Sequence, residues 1–416
     1  MDSVNDVCVI GGAGRVGLPL SLICADCGLQ TLIYDIDSER NAEIARGRMP
    51  FREEGAIEML AGALASGRLS ITDSPEGVAS ARLLVMVIGT PVDEHLNPSF
   101  RAVDRVLDRL RPFLCDGQTL ILRSTVFPGT TRRIDRLLRE WGLNIGVAFC
   151  PERVAEGYSL REFRELPQII SGFGPSALGA ARDLFRRFAP ELIELTPLEA
   201  ELCKLMTNSW RYIQFAIVNQ FYMLASTHDV DFDRILYGCR HNYPRMAGMP
   251  GPGFAAGPCL VKDTMQLAAF SQNQFVLGHA AMLVNEGLPN HLVMMAKREV
   301  NLQDKVVAIL GMAFKAGSDD PRDSLSYKLR KLLLLEARQV LCTDPWIEDT
   351  SFVPLATALE AADVLFVATP HREYRNLRLP DGKVIVDVWD WLREKPRGSP
   401  PVSSSVSNGA GEDAGA

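Results

Sequence analysis

Short apolar runs that stop at glycine or aspartate alternate along this chain with longer stretches of helical periodicity. Val7-Cys8-Val9-Ile10 is one such run, stopped by glycines, and reads as a buried strand. The apolar helical stretch after it extends to Cys27, and Gly28 suits the C′ position that ends a helix. Residues 30–34 form the next strand, closed by Asp35. Further strands are predicted at 83–88, 119–122 and 145–149, with helical segments between them. Repeated strand and helix of this kind predicts a doubly wound α/β domain over residues 1–195.

Thr196-Pro197-Leu198-Glu199 has the form of a helix start: Thr at the N-cap, Pro at N1 and Glu reaching back from N3. Neither Gly nor Pro interrupts the chain from Leu198 to Tyr237, so a long central helix is expected through about residue 228. It carries many apolar side chains, which calls for burial between domains or between subunits. A second α/β pattern begins at Lys305: strands at 306–310, 339–342, 364–368 and 384–388, and a helix at 324–336. Its first turn has one glycine, Gly311, and no GxGxxG, so it should hold something other than a dinucleotide. The fold class is therefore α/β, two Rossmann-like doubly wound domains joined by a long central helix. The expected boundaries are 1–195, 196–300 and 301–396. The Gly/Ser/Pro-rich segment 397–416 reads as a disordered tail.

At 416 residues the chain exceeds one ordinary core, in keeping with two or three domains. Its 47% hydrophobic and 23% charged composition is that of a soluble globular protein. A net charge of −7 disfavours nucleic-acid binding, which needs a basic footprint, yet leaves room for a local basic pocket. No signal peptide fits the N-terminus and no apolar run is long enough to span a membrane. The nine cysteines are taken as scattered, with no CxxC pair and no disulfide spacing, and read as reduced thiols of a cytoplasmic protein. The six histidines lack metal-ligand spacing, so no metal is expected.

Five motifs carry candidate chemistry. The first is the turn Gly12-Ala13-Gly14-Arg15-Val16-Gly17, between a strand and a helix. Its glycines allow a tight turn, close approach of a pyrophosphate and packing of helix on strand, and the helix N-terminus favours phosphate. Asp35 would bind the ribose hydroxyls and repel a 2′-phosphate, which favours NAD over NADP, although Arg40 could meet such a phosphate. Ser124-Thr125-Val126-Phe127-Pro128-Gly129 is either a ligand loop past a strand end or a turn before a capped helix. Pro151-Glu152-Arg153-Val154-Ala155-Glu156 offers a general base, or else a surface ion cluster. Lys204 and Asn208 share one helix face and suit either an oxyanion or solvent. Cys259 sits in the run from Pro250 to Asp263, where glycines permit close approach and Lys262 would favour a thiolate. The other reading of Cys259 is a small packed hydrophobe.

Taken together the chain resembles the UDP-glucose/GDP-mannose dehydrogenase family, nucleotide-sugar 6-dehydrogenases. The motifs that carry the likeness are Gly12–Gly17, Gly89-Thr90-Pro91, Ser124-Thr125-Val126, Pro151-Glu152 and Glu201-Leu202-Cys203-Lys204 with Asn208. Beyond them come the Cys259 loop with Lys262-Asp263, Gly311-Met312-Ala313-Phe314-Lys315 and Asp320-Pro321-Arg322-Asp323-Ser324. The resemblance implies a four-electron oxidation of a sugar C6 alcohol to a carboxylate with two NAD, through a thiohemiacetal and a thioester on Cys259. It implies Glu152 as acid/base, Lys204 and Asn208 as oxyanion partners, and Asp263 as support for the water and the lysine. Gly12, Gly14, Arg15, Val16, Gly17, Asp35, Arg40, Thr90, Thr125, Glu156 and Arg322 would meet NAD. Arg153, Val154, Arg245, Phe254, Lys262, Phe314 and Lys315 would meet a UDP-sugar. By the same resemblance, residues 1–195 bind NAD, 196–300 supply catalysis and a homodimer or larger oligomer through the central helix, and 301–396 bind the UDP-sugar.

The chain departs from the family's pattern in three places. Ala255-Ala256 replaces glycines before the cysteine in a loop one residue longer, and Arg123 stands where a Glu is often found. Asp387-Val388-Trp389-Asp390 lacks an arginine that many members carry. Glu152-Arg153-Val154 and Asn242-Tyr243-Pro244-Arg245 look more like members acting on UDP-N-acetylhexosamines, such as UDP-N-acetylmannosamine, than on UDP-glucose. The rival readings are a two-electron hydroxyacid dehydrogenase that uses Lys204 and Asn208 without the thiol, and a nucleotide-sugar sensor that binds without turnover.

Overall fold

The computed structural model describes residues 4–89 and 101–392. The expected tail and Thr90 lie outside them. The chain divides into two compact units, one running through Leu205 and the other starting at Met206.

The first unit is built on a parallel sheet of six strands: β1 (Asn5–Ile10), β2 (Thr31–Tyr34), β3 (Leu69–Thr72), β4 (Ala81–Met86), β5 (Thr119–Leu122) and β6 (Gly146–Phe149). Their order is β3-β2-β1-β4-β5-β6, so the topology reverses between β1 and β4. The central strands β1, β4 and β5 are buried on both faces because helices cover both, whereas the edge strand β3 buries only Leu69. Cys8 and Ile10 of β1 face one core with Val103 and Leu107 of helix Arg101–Leu110 and Ile134 of helix Thr130–Glu140. Val7 and Val9 face the other, with Leu20 and Ile23 of helix Gly17–Asp26 and Leu184 of helix Gly174–Phe185. That two-sided burial explains the continuous apolar runs in the sequence. A two-stranded parallel sheet, β7 (Gln168–Ile170) and β8 (Leu192–Glu194), completes the unit.

Helix Gly17–Asp26 stops as expected. Gly28 has φ +87°, its N–H donates to the Ala25 carbonyl, and the Leu29 N–H donates to the Cys24 carbonyl. These are the two bonds of a Schellman cap. The helix also carries Cys24 and Cys27 at CxxC spacing, which the reading of scattered cysteines passed over. Burial pushes the Cys24 thiol up to about 12 and also raises Cys27, so this pair is held as protonated thiols. All nine cysteines are free.

The central helix is Pro197–Thr227, and the Glu199 carboxylate accepts the Thr196 N–H at 2.8 Å, the reciprocal bond of a capping box. In the second unit four parallel strands, β9 (Val306–Leu310), β10 (Gln339–Thr343), β11 (Val364–Val367) and β12 (Val384–Asp387), are ordered β10-β9-β11-β12. Val307 and Ile309 pack with Leu329 of helix Leu325–Glu336 and Leu292 of helix Val276–Glu299. Val306 and Ala308 pack with Ala358 on the opposite face. Among the described residues no helix is long and apolar enough to cross a membrane.

Candidate active site

The turn after β1 lies at the reversal of strand order, where doubly wound sheets open a crevice. Gly11, one residue ahead of the fingerprint, carries the left-handed backbone at φ +80°. A Cβ on Gly12 would lie 2.7 Å from the Val9 carbonyl oxygen, and one on Gly17 would run into the Gly11 carbonyl. Gly14 has room for a Cβ, 3.4 Å from its nearest neighbour, so local packing does not demand a glycine there. No side chain caps helix Gly17–Asp26 at Val16; in its first turn the Leu18 N–H donates to the Gly14 carbonyl at 2.9 Å and Pro19 has no N–H, so a phosphate would be favoured by the turn's backbone and the positive end of the helix dipole. Asp35, at the end of β2, accepts the Ala13 N–H at 3.0 Å and the Asp37 N–H at 3.1 Å. Arg15 reaches Glu156 at 2.9 Å and stacks on Phe51, which joins two sequence-predicted cofactor residues from distant segments. Arg40 is exposed and leans on Asp37. These features fit a dinucleotide: a helix N-terminus that no side chain caps, a close-packed glycine turn and a fixed carboxylate beside it.

Past β5 and β6 the loops carry Arg123, Thr125, Glu152, Arg153 and Val154. Glu152 Oε1 accepts the backbone N–H groups of Arg153 and Val154 at 2.7 and 2.9 Å, and Oε2 lies 2.5 Å from Arg123 Nη2. Arg123 is fully buried. Arg153 donates to the Pro167 carbonyl, and Val154 packs beside the core. Thr125 is half-buried in the loop after β5. Glu201, on the central helix, accepts the Gly129 and Thr131 N–H groups at 2.6 and 2.8 Å and so ties helix Thr130–Glu140 to it. Burial raises the Glu201 carboxyl above its ordinary range, against the pull of those bonds.

In the second unit Cys259 is exposed and occupies the N-cap of helix Leu260–Phe270. Its carbonyl accepts the Asp263 N–H at 2.9 Å. Asp263 is buried, receives Asn208 Nδ2 at 2.6 Å and pairs with Lys262 at 3.0 Å. Asn208, Lys262 and Asp263 therefore form one cluster in the first turn behind the thiol. The loop before Cys259 is pinned at two glycines. Gly253 (φ +147°) exchanges two hydrogen bonds with Asn219, at 2.8 and 3.0 Å, and a Cβ on it would run into the Trp389 ring. Gly257 (φ +100°) donates to the Asp323 carbonyl at 3.2 Å, and a Cβ there would lie 2.6 Å from the Phe314 ring. Phe254 and Ala255, between these anchors, are buried, and Phe254 belongs to the core with Leu288 and Leu292. Sequence reasoning missed Asn219, Asn285 and Trp389. The available signal was an asparagine inside each of two apolar helices, and the buried bond from Asn219 to Asn285 satisfies both.

The turn after β9 repeats the first unit's plan with a different outcome. Asp344, ending β10, accepts the Met312 and Ala313 N–H groups at 2.6 and 3.0 Å, those of Trp346 and Ile347, and His371 Nε2 at 3.2 Å. Burial alone would raise its pKa, but His371 and the backbone donors hold it below the ordinary range. The Gly317 N–H donates to His371 Nδ1, so the imidazole proton sits on Nε2, towards Asp344. An acid saturated in this way has no acceptor capacity left for ribose hydroxyls. Lys315 lies over the Phe314 ring, Arg322 forks onto Asp320, and Arg245 pairs with Tyr243.

A six-stranded parallel sheet in this order, with a glycine turn at its switch point and an acid on its second strand, defines the dinucleotide-binding class of doubly wound proteins. Three family models match in series: the NAD binding domain of the UDP-glucose/GDP-mannose dehydrogenase family at residues 5–189, its central domain at 198–286 and its UDP binding domain at 308–394. A UDP-N-acetyl-D-mannosamine dehydrogenase from Pyrococcus horikoshii is 30% identical over 411 residues, covering 93% of this chain and 96% of that protein. The solved structure of UDP-D-ManNAc dehydrogenase from Pyrococcus horikoshii matches with a TM-score of 0.87 at 27% identity, over 94% of this chain and 97% of that one. A UDP-glucose dehydrogenase from Pyrobaculum islandicum matches with a TM-score of 0.85 at 27% identity, over 93% and 94%. The chain belongs to the UDP-glucose/GDP-mannose dehydrogenase family. Its activity is that of an NAD-dependent nucleotide-sugar dehydrogenase, an oxidoreductase.

Proposed function

We propose that this protein oxidises the C6 alcohol of a UDP-sugar to the carboxylate, in four electrons, through a thioester on Cys259. The observation that carries the reading is an exposed thiol at a helix N-cap, in a loop pinned at Gly253 and Gly257, within an NAD-dependent family. Bound NAD would supply the hydride acceptor for each of the two oxidations at C6, the hydroxyl proton passing to solvent each time. Lys204 and Asn208 stabilise the oxygen as its charge develops, and the Asp263 carboxylate holds Asn208 in orientation. The Cys259 sulfur adds to the aldehyde carbon, so the aldehyde stays covalently held between the hydride steps. Glu152 takes a proton from water as the water attacks the thioester, and the thiolate leaves.

Gly12, Gly14, Arg15, Val16, Gly17, Asp35, Thr125, Glu156 and Arg322 form the proposed cofactor set. Arg153, Val154, Arg245, Lys262, Phe314 and Lys315 serve the UDP-sugar. Phe254 contributes from the core by shaping the loop. A UDP-N-acetylhexosamine is favoured as substrate, because the mannosamine-type relative spans nearly the whole chain. Subunits pair through the central helix, which exposes Met206, Trp210, Ile217, Phe221 and Leu224 along one side. Nine free thiols suit a reducing compartment such as the cytoplasm.

Replacing Cys259 by Ser tests the reading. The variant should bind NAD as the parent does and form no uronate; uronate made at the parental rate would contradict the thioester route.

A further inference from the structure

We infer that Arg123 is the positioning residue that fixes Glu152 for hydrolysis of the thioester, an inference that rests on the reading of Glu152 and Cys259 above. Arg123 directly follows β5 and Glu152 lies three residues past β6, so the two meet at neighbouring strand ends. Backbone and side chains both join them: the Glu152 N–H donates to the Arg123 carbonyl at 3.1 Å, and the guanidinium meets the carboxylate at 2.5 Å.

A fully buried guanidinium is costly unless it is paired and its N–H groups are used. Here Nη1 donates to the Cys150 carbonyl at 3.2 Å and to Gln168 Oε1 at 3.1 Å. Gln168 is itself buried and donates to the Pro151 carbonyl at 3.2 Å. The Phe163 and Phe185 rings lie 5.3 and 4.9 Å from the guanidinium carbon. The cation is thus braced from β7 and by aromatic faces, and it transmits that rigidity to Glu152. Oε1 is held by two amides and Oε2 is ion-paired with Arg123, which leaves the carboxylate one available orientation. Oε1 already takes two donors, so the remaining acceptor capacity for a water lies on Oε2.

The step served is redox-neutral. Water oxygen bonds to the thioester carbon, its proton passes to a Glu152 oxygen, the C–S bond breaks, and sulfur departs with the electron pair as thiolate. Both hydride transfers precede it and make no use of Glu152. Loss of Arg123 should therefore spare the oxidations and slow the release.

The test uses the full-length protein with NAD and a UDP-sugar that the parent oxidises. Arg123→Lys and Arg123→Met are compared with Glu152→Gln by rapid-mixing NADH kinetics and by intact mass after acid quench. NAD affinity should stay parental while NADH appears in a burst of up to two per site. The Cys259-linked adduct should then accumulate, and steady turnover should fall about 10²-fold, the usual cost of a misplaced catalytic group. Arg123→Lys, which keeps a cation opposite Glu152, should fall less, and it decides the question if Arg123→Met does not fold. An unchanged ratio of burst to steady rate in the variants overturns the inference, as does an equal loss of both. A parent that releases one NADH per sugar contradicts the thioester reading itself; a parent that releases two beside unaltered variants overturns only the role of Arg123.

Discussion

Two aspartates at the ends of second strands have opposite fates here. Asp344 is consumed by four backbone N–H groups and a histidine. Asp35 accepts one amide of the glycine turn and one of its own loop, which orients the carboxylate beside the turn. A carboxylate fixed there is attracted to ribose hydroxyls and repels a 2′-phosphate. Asp35→Asn should therefore lower the preference for NAD over NADP by about tenfold, or roughly 1.4 kcal/mol. The ratio of kcat/KM for the two cofactors measures it, and an unchanged ratio would remove Asp35 from cofactor selection. The acid itself was legible in the sequence, since it follows the fingerprint at the end of the next strand. The pairing of Arg123 with Glu152 was not, because only the fold shows that adjacent strand ends bring the two together.

Elements with strong local signals formed where the sequence predicts them. The capping box at Thr196 and the C′ glycine at Gly28 are local chemistry, so both are readable without tertiary context. The strands β7 and β8 are three residues each, and β3 is Leu-Ser-Ile-Thr with only Leu69 buried, so none of them gives the pattern an apolar run to declare. They exist because neighbouring backbone completes their hydrogen bonds. The central helix raises a different point. Met206, Trp210, Ile217, Phe221 and Leu224 recur at spacings of 4, 7, 4 and 3, and each is between 46% and 62% exposed. One apolar stripe of this extent needs a cover, and the proposed pairing of subunits through this helix would supply one. Trp210→Asp should convert a dimer or larger oligomer to a smaller species in light scattering. A monomeric parent would contradict pairing through this helix.

At the scale of the whole molecule, two sheets of one architectural type have diverged in chemistry. The first keeps a helix N-terminus that no side chain caps, and a fixed acid beside its glycine turn. The second fills the equivalent turn with Asp344 and His371, and it matches the family's UDP binding domain. Sequence reading found this division because only one half carries GxGxxG. It also names Cys259, Asn208 and Asp263 as candidates, whereas the anchors of the thiol loop, Asn219 and Trp389, come from segments far from Cys259 in sequence. A held aldehyde is the reason to join a thiol to a nicotinamide enzyme, and it has a countable consequence. The most direct test is NADH released per UDP-sugar consumed, across a panel of UDP-N-acetylhexosamines, UDP-glucose and a GDP-sugar. Two NADH per sugar, with a UDP-N-acetylhexosamine the best substrate, is the predicted result; one NADH per sugar would contradict the four-electron account.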